Sequence, residues 1–376
     1  MDLKGIRCNV VDWMELVRER DRGYSKSGSY FANFGYFRGT DKAKTTVILV
    51  LKDSICQKER NHFNLEVECL VLNGLKSKTI SLEGFSQHEL HPQVSDSAAV
   101  DWIFVVDTLN FSFWSPDDSS CKWEVSHNGR KYTGYFALCA AINRAIQEGV
   151  QITDPNYYCN VSVEQLTHIL RSDTSTPAPM IKERVSNLHE VGKILVNKYK
   201  GSFVNCLEQA DNSAQKLLEL VITDFPCYRD EADYQGHKVA FYKRAQILIG
   251  DLWASFRGKG LGFFTDIDSI TMFADYRIPQ SLVHFGALKY SDELMAILKS
   301  GVELPSGSPE EVEIRACCIH AVSMVCEEVH RLLREEGIQN LSINSILIDH
   351  FLWDYRRQHA EQLETIPFHK TRCIYY

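Results

Sequence analysis

Apolar positions along this chain recur mostly at helical spacing. Ile181, Val185, Leu188, Val191 and Leu195 fall on one helical face, and Leu217, Leu218 and Val221 continue the pattern until Pro226 interrupts it. Ser308-Pro-Glu-Glu311 is a strong helix start: a capping hydroxyl, a proline where a missing N–H costs nothing, and two acids against the positive end of the macrodipole. From there Val312, Ile319, Val322, Cys326, Val329 and Leu333 form a stripe that predicts a helix to Glu336, stopped at Gly337. Ser162 with Gln165 spells a capping box ahead of Leu166, Ile169 and Leu170, and Thr133 is placed to cap a helix carrying Leu138, Ala141, Ile142 and Ala145. The spacing predicts further helices over 240–255, 279–288 and 342–359.

Strand signals are sparse. Asn128-Gly129 between short polar and aromatic runs predicts a type I′ hairpin, one small hairpin in an otherwise helical chain. The first eighty-odd residues are the least regular: Asn9–Arg20 reads as an amphipathic helix and Thr45–Leu51 as a strand-like run. No internal repeat and no low-complexity linker follows Phe85, so a single helical domain is the economical architecture.

Composition narrows the function classes. The chain has 376 residues, 44% of them hydrophobic, enough for a sizeable core. A net charge of −8 argues against a broad basic surface for nucleic acid, but leaves room for a local pocket that takes one phosphate. No apolar run approaches the roughly twenty residues a membrane helix needs, and no leader pattern opens the chain, so we expect a soluble, cytoplasmic protein. The twelve cysteines are scattered without a C-x-x-C pair, and Cys317-Cys318 are adjacent on a predicted helix, which points to buried free thiols rather than disulfides or a zinc site.

The candidate chemistry is carried by carboxylates. In Thr265–Gln280, Pro279 lets a helix begin but not run through Arg277, which leaves Asp275 in the turn just before it with Phe273 two residues upstream. Asp275 either caps the helix or pairs with Arg277, or else faces a cleft where positive charge develops. Asp349 has Ile346, Leu352 and Trp353 around it at helical spacing, so it faces inward and needs a partner. Asp354 lies about 140° further round the same helix; it pairs with Arg356 or Arg357, or flanks one groove with Asp349. Lys243-Arg244 sits on a helix with Phe241, Ile247, Leu248 and Trp253, a setting in which a basic pair usually snorkels to solvent. His88 and His91 both fit surface positions. Gly258, Gly260 and Gly262 lack the upstream strand and the Lys-Ser/Thr ending of a phosphate-binding loop.

Several longer motifs run in one order: Asp107-Thr-Leu-Asn-Phe-Ser-Phe-Trp-Ser115, Thr133-Gly-Tyr-Phe-Ala-Leu138, Lys243-Arg-Ala-Gln246, Met272-Phe-Ala-Asp-Tyr-Arg-Ile-Pro-Gln280, Phe351-Leu-Trp-Asp-Tyr355, Ile366-Pro-Phe-His369 and Arg372-Cys-Ile-Tyr-Tyr376. From roughly Phe85 to the C-terminus the chain thereby resembles the queuosine salvage family, queuosine 5′-phosphate N-glycosylases. The resemblance implies a mainly α fold, a single helical domain over 85–376 similar to helix-hairpin-helix DNA glycosylases, although the chain has no Leu-Pro-Gly-Val-Gly hairpin. Residues 1–84 stand outside the pattern, as an appended element, a partly disordered extension or a distorted set of entry helices.

The same resemblance implies hydrolysis of the N-glycosidic bond of queuosine 5′-monophosphate, releasing queuine for salvage into tRNA, with no metal or other cofactor, no stable nucleic-acid binding and no membrane. Asp275 would be the nucleophile or oxocarbenium stabiliser. Phe273 would stack on the 7-deazapurine, His88 would close the base pocket, Asp349 and Asp354 would contact the base, and Lys243 would hold the 5′-phosphate. Because a 7-deazapurine has carbon in place of N7, leaving-group activation must come through another heteroatom, with Asp349 or Asp354 in protonated form as the candidate acid. The C-terminal Tyr375-Tyr376 matches the family ending, which implies that the terminus packs near the site. Two rivals remain: a non-catalytic queuine-binding helical protein and a nucleic-acid base glycosylase. A pure binder has no need of a carboxylate at the sugar, so Asp275 discriminates.

Overall fold

A computed structural model of the chain describes residues 46–47, 66–115 and 122–376. Among them the helices of seven or more residues are α1 (Glu66–Lys76), α2 (Ser97–Thr108), α3 (Tyr135–Gln147), α4 (Val163–Ile169), α5 (Ile181–Lys198), α6 (Ala214–Asp224), α7 (Lys243–Ser255), α8 (Ile278–His284), α9 (Asp292–Lys299), α10 (Pro309–Glu335) and α11 (Ser345–Gln358). The strands are β1 (Thr46–Val47), β2 (Glu124–His127), β3 (Arg130–Thr133), β4 (Glu231–Tyr234) and β5 (His237–Ala240). The mainly helical reading holds.

The local signals act as their chemistry predicts. Ser308 Oγ accepts from Glu311 N at the start of α10, and Gly337 at φ 71° ends it. The capping box of α4 has both its bonds, Gln165 N to Ser162 Oγ at 3.1 Å and Ser162 N to Gln165 Oε1 at 2.8 Å. Thr133 is not a cap: it closes β3, and Gly134 at φ 61° turns the chain into α3 without any side-chain cap. Helix α8 stops at His284 rather than 288, because Gly286 adopts φ 72° and Leu288 N folds back onto Leu282 O. Helix α11 begins behind Asn344, whose side chain accepts from Leu347 N at 3.1 Å.

Asn128 and Gly129, at φ 50° and 77°, make the expected turn between β2 and β3. A second hairpin, β4–β5, was not expected. Its turn is Gln235-Gly236 at φ 51° and 79°, the same left-handed pair built with a residue that rarely announces it. The predicted 240–255 helix consequently starts only at Lys243, since β5 runs to Ala240. Within Thr45–Leu51, Thr46–Val47 form β1 and pair parallel with Val239–Ala240; the Asn9–Arg20 helix lies outside the described residues.

The chain divides into two compact units, each assembled from separated segments. The first comprises the described residues up to Lys78, Glu231–Phe241 and Ala274–Thr371; the second comprises Thr79–Asp230, Tyr242–Phe273 and Arg372–Tyr376. In the first, the 27-residue α10 is the axis, and α1, α8, α11 and β4 pack on it. Helix α1 buries Val67, Val71, Leu72 and Leu75, so the region before residue 84 contributes part of this core. In the second, α2 is buried on nearly all sides and packs with α3, α5 and α7, as expected of a helix that is apolar all round.

Candidate active site

The Asp275 turn belongs to the first unit, and its carboxylate is fixed by backbone. Asp275 Oδ1 accepts from Arg277 N and Ile278 N, each at 2.8 Å, which satisfies two donors at the entry of α8. The other oxygen, Oδ2, makes no hydrogen bond among the described residues, and the side chain is only partly buried. Capping and exposure of an anionic oxygen are therefore compatible, not alternatives.

The rest of the Met272–Gln280 motif holds that turn in place. Arg315 on α10 donates from Nε to Ala274 O at 3.0 Å, pairs with Glu311 at 3.0 Å, and lies 4.0 Å above the Phe241 ring. Both partners of this ion pair are almost fully buried, so removing either would strand the other charge at a cost of about 3–5 kcal/mol. Arg277 stacks 4.2 Å over Phe368, and Gln280 donates to the carbonyls of Leu363 and Ile366 while accepting from Arg277 and Arg356. The Ile366-Pro-Phe-His369 motif thus serves as the wall against which the Asp275 turn is braced.

Helix α11 supplies the other two carboxylates of this unit. Asp349 is buried, as its apolar collar predicts. Asp349 and Asp275 share an electrostatic neighbourhood, for both push up the thiol of Cys318 on α10, which burial already holds far above its ordinary value. Asp354 is exposed at the surface, yet surrounding protein raises its carboxyl, with Arg357 opposing. The structure brings Asp275 and Asp349 within electrostatic reach of one buried thiol, and Asp354 within that of Arg357.

Lys243, His88 and Phe273 belong to the second unit. The snorkelling expected of Lys243-Arg244 does not occur: both are buried at the first turn of α7, because α2 packs over that end of the helix. Lys243 N donates to Asp230 Oδ2 at 3.0 Å. Arg244 spends its guanidinium on the carbonyls of Asp107, Thr108 and Cys227, and lies 4.6 Å over the Tyr228 ring. Gln246 pairs reciprocally with Thr271, its Nε2 donating to Thr271 Oγ1 and its Oε1 accepting from Thr271 N, both at 2.9 Å, and so fixes the segment that leads to the buried Phe273. The side chains of Arg244 and Gln246 thus have separate structural tasks.

His88 is half-buried, stacked on Phe136 with ring centres 4.0 Å apart and planes at 6°. His91 is the more buried of the two; its Nδ1 meets Phe85 O at 2.9 Å and its Nε2 meets Tyr135 Oη at 3.2 Å. Tyr135 in turn lies within electrostatic reach of Asp251 and Asp107, and Asp107 within reach of Lys243 and Arg244. Tyr135, which meets His91, is thus within electrostatic reach of the same Asp107 that feels the buried cations. Asp107 is fully buried; burial raises its carboxyl to about 7 against the opposing pull of Asn110, Lys243 and Arg244. Sequence reasoning did not single out Asp107, Arg244 or Arg315, although the first two stand inside the quoted motifs.

The C-terminal residues fasten this unit. Ser112 N donates to Tyr376 O and Ser112 Oγ to Cys373 O, both at 2.8 Å, while Arg372 lies 3.5 Å over Trp114. Tyr375 feels Asp230 and Arg244 electrostatically, which puts the terminus beside the Lys243 end of α7.

Residues 90–376 match the family model for the queuosine salvage protein. The chain is 53% identical over 292 residues to a Mus musculus protein named queuosine 5′-phosphate N-glycosylase/hydrolase, covering 77% of this chain and 86% of that one. Proteins of the same name from Bos taurus and Schizosaccharomyces pombe are 51% and 38% identical, over 82% and 78% of this chain and 90% and 87% of their own. With a family match over most of its length and relatives at this identity, the chain belongs to the queuosine salvage protein family.

Proposed function

We propose that this protein hydrolyses the N-glycosidic bond of queuosine 5′-phosphate and releases queuine, the reaction its relatives' name describes. The observation that carries the reading is the Asp275 carboxylate, with one oxygen held by two backbone N–H groups and the other free of protein donors among the described residues. Cleaving the C1′–N bond builds oxocarbenium character on the sugar, and a fixed anion stabilises that charge more in the transition state than in the ground state. Asp275 fills this role as nucleophile or as electrostatic stabiliser, the two carboxylate strategies familiar from glycoside hydrolysis.

We assign Phe273 to stacking on the 7-deazapurine, His88 to closing the base pocket, and Lys243 to the 5′-phosphate. Asp349 and Asp354 are assigned to donors of the base, for which carboxylate oxygens are the fitting acceptors. The raised carboxyl of Asp354 supports its use as the acid that activates the leaving group. No helix among the described residues is long and apolar enough to cross a membrane, in keeping with a small diffusible substrate. Incubating the purified protein with queuosine 5′-monophosphate and detecting free queuine by mass tests the proposal; binding of the nucleotide without release of base would make the protein a binder instead.

A further inference from the structure

We propose that Asp107 is a positioning residue for the phosphate end of the substrate: it balances the charge of Lys243 in the empty site and takes up a proton as the 5′-phosphate binds. The inference rests on the reading of Lys243 as the phosphate contact. Asp107 is the penultimate residue of α2, fully buried where α2 packs on α7. Its Oδ1 accepts from Asn110 at 3.3 Å, and its Oδ2 has no hydrogen-bond partner among the described residues. Such an oxygen is costly to bury, and the cost is greatest when the group is ionised.

The charges around it explain why. From α7, Lys243, Arg244 and Asp251 face the cluster; from α3, Tyr135 and Cys139; Asn110 follows α2, and Asp230 and Tyr228 precede the β4–β5 hairpin. Burial holds Tyr135, Cys139 and Tyr228 neutral, well above their ordinary values. Two cations therefore face three carboxyls, those of Asp107, Asp230 and Asp251. With Asp107 ionised there is no surplus positive charge for a phosphate dianion, and the arriving dianion repels the carboxylate. Protonating Asp107 removes that repulsion and brings the cluster from one net negative charge to neutrality, and its carboxyl already stands near 7 before any ligand binds.

The test follows the ratio of kcat/KM for queuosine 5′-monophosphate to that for the unphosphorylated nucleoside between pH 5 and 9, which cancels the groups that serve both substrates. In the wild-type protein the ratio should climb as the phosphate loses its second proton near pH 6, then fall about tenfold per pH unit above about 7. Asp107→Asn should keep the climb and lose the fall, with nucleoside turnover confirming that the variant is folded. A wild-type ratio that stays level above pH 7, or a fall that persists in Asp107→Asn, would overturn the proposal. Lys243→Ala separates the two readings: it lowers the ratio at every pH if Lys243 holds the phosphate, and an unchanged ratio removes both Lys243 and Asp107 from that task. Should Asp107→Asn not fold, titrating wild-type protein with ribose 5-phosphate at pH 8 in buffers of different ionisation enthalpy gives the proton count directly. Uptake approaching one proton supports the proposal; zero uptake refutes it.

Discussion

Asp275→Asn separates the charge of this carboxylate from its hydrogen bonds. The amide oxygen can still accept from Arg277 N and Ile278 N, so the entry to α8 keeps both its bonds and loses only their charge assistance, less than about 1 kcal/mol. What disappears is the anion on the Oδ2 side. A unit charge about 4 Å from a developing cation is worth about 4 kcal/mol at an effective permittivity near 20, and the partial charge on an oxocarbenium-like sugar reduces that to about 3–4 kcal/mol. At 1.36 kcal/mol per decade, kcat should fall between about 10²- and 10³-fold. Steady-state release of queuine, followed by mass, gives the rate, and a thermal melt of the same preparation should move by no more than about 3 °C. Asp275→Ala, which loses the cap as well, should melt lower by a further cost of about 1 kcal/mol. Turnover by the asparagine variant within tenfold of wild type would refute the assignment.

Three other perturbations read the scaffold. Gln280→Ala strands the carbonyl of Ile366 and leaves that of Leu363 with only its bond from Ile366 N, and should cost about 1–3 kcal/mol in denaturant unfolding, so an unchanged midpoint would make those bonds ornamental. Removing residues 1–44 should leave soluble, active protein, whereas removing 1–78 also strips Val67, Val71, Leu72 and Leu75 from the core, at about 1.5–3 kcal/mol each, and should leave none; equal yields of the two would contradict the packing of α1 on α10. His369 is fully buried, and burial with Arg315 nearby holds it at about 3, so below the unfolded value near 6.5 the unfolded chain binds the extra proton. Stability should therefore fall as pH drops from about 6.5 toward 3, by about 1.4 kcal/mol per unit from this group, and His369→Gln should flatten that slope.

Much of the backbone was legible because helix starts and stops are local events. Ser308, Ser162 with Gln165, Gly337 and the Asn128-Gly129 turn act through bonds that span three or four residues, and no distant contact overrides them. The β4–β5 hairpin escaped notice for the complementary reason: Gln235 tolerates a left-handed turn that its type does not advertise, within a three-stranded sheet that includes β1. The Asp275 carboxylate was readable from Pro279 and the turn before it, since a helix entry leaves orphan N–H donors for a nearby oxygen.

The burial of the polar residues was not readable, because the neighbours that decide it come from far along the chain. Nothing near Lys243 says that α2 covers it, and nothing near Gln280 says that Leu363 and Ile366 need its amide. Asp107 stood at the head of the 107–115 motif with nothing beside it in the sequence to mark its burial; only the packing of α2 on α7 made it a buried group near two cations. The sequence by itself determined where this chain turns helical and which residues could carry charge to a site. Tertiary structure decided which of those charges leave water, since desolvation depends on every atom within a few ångströms and not on spacing along the chain.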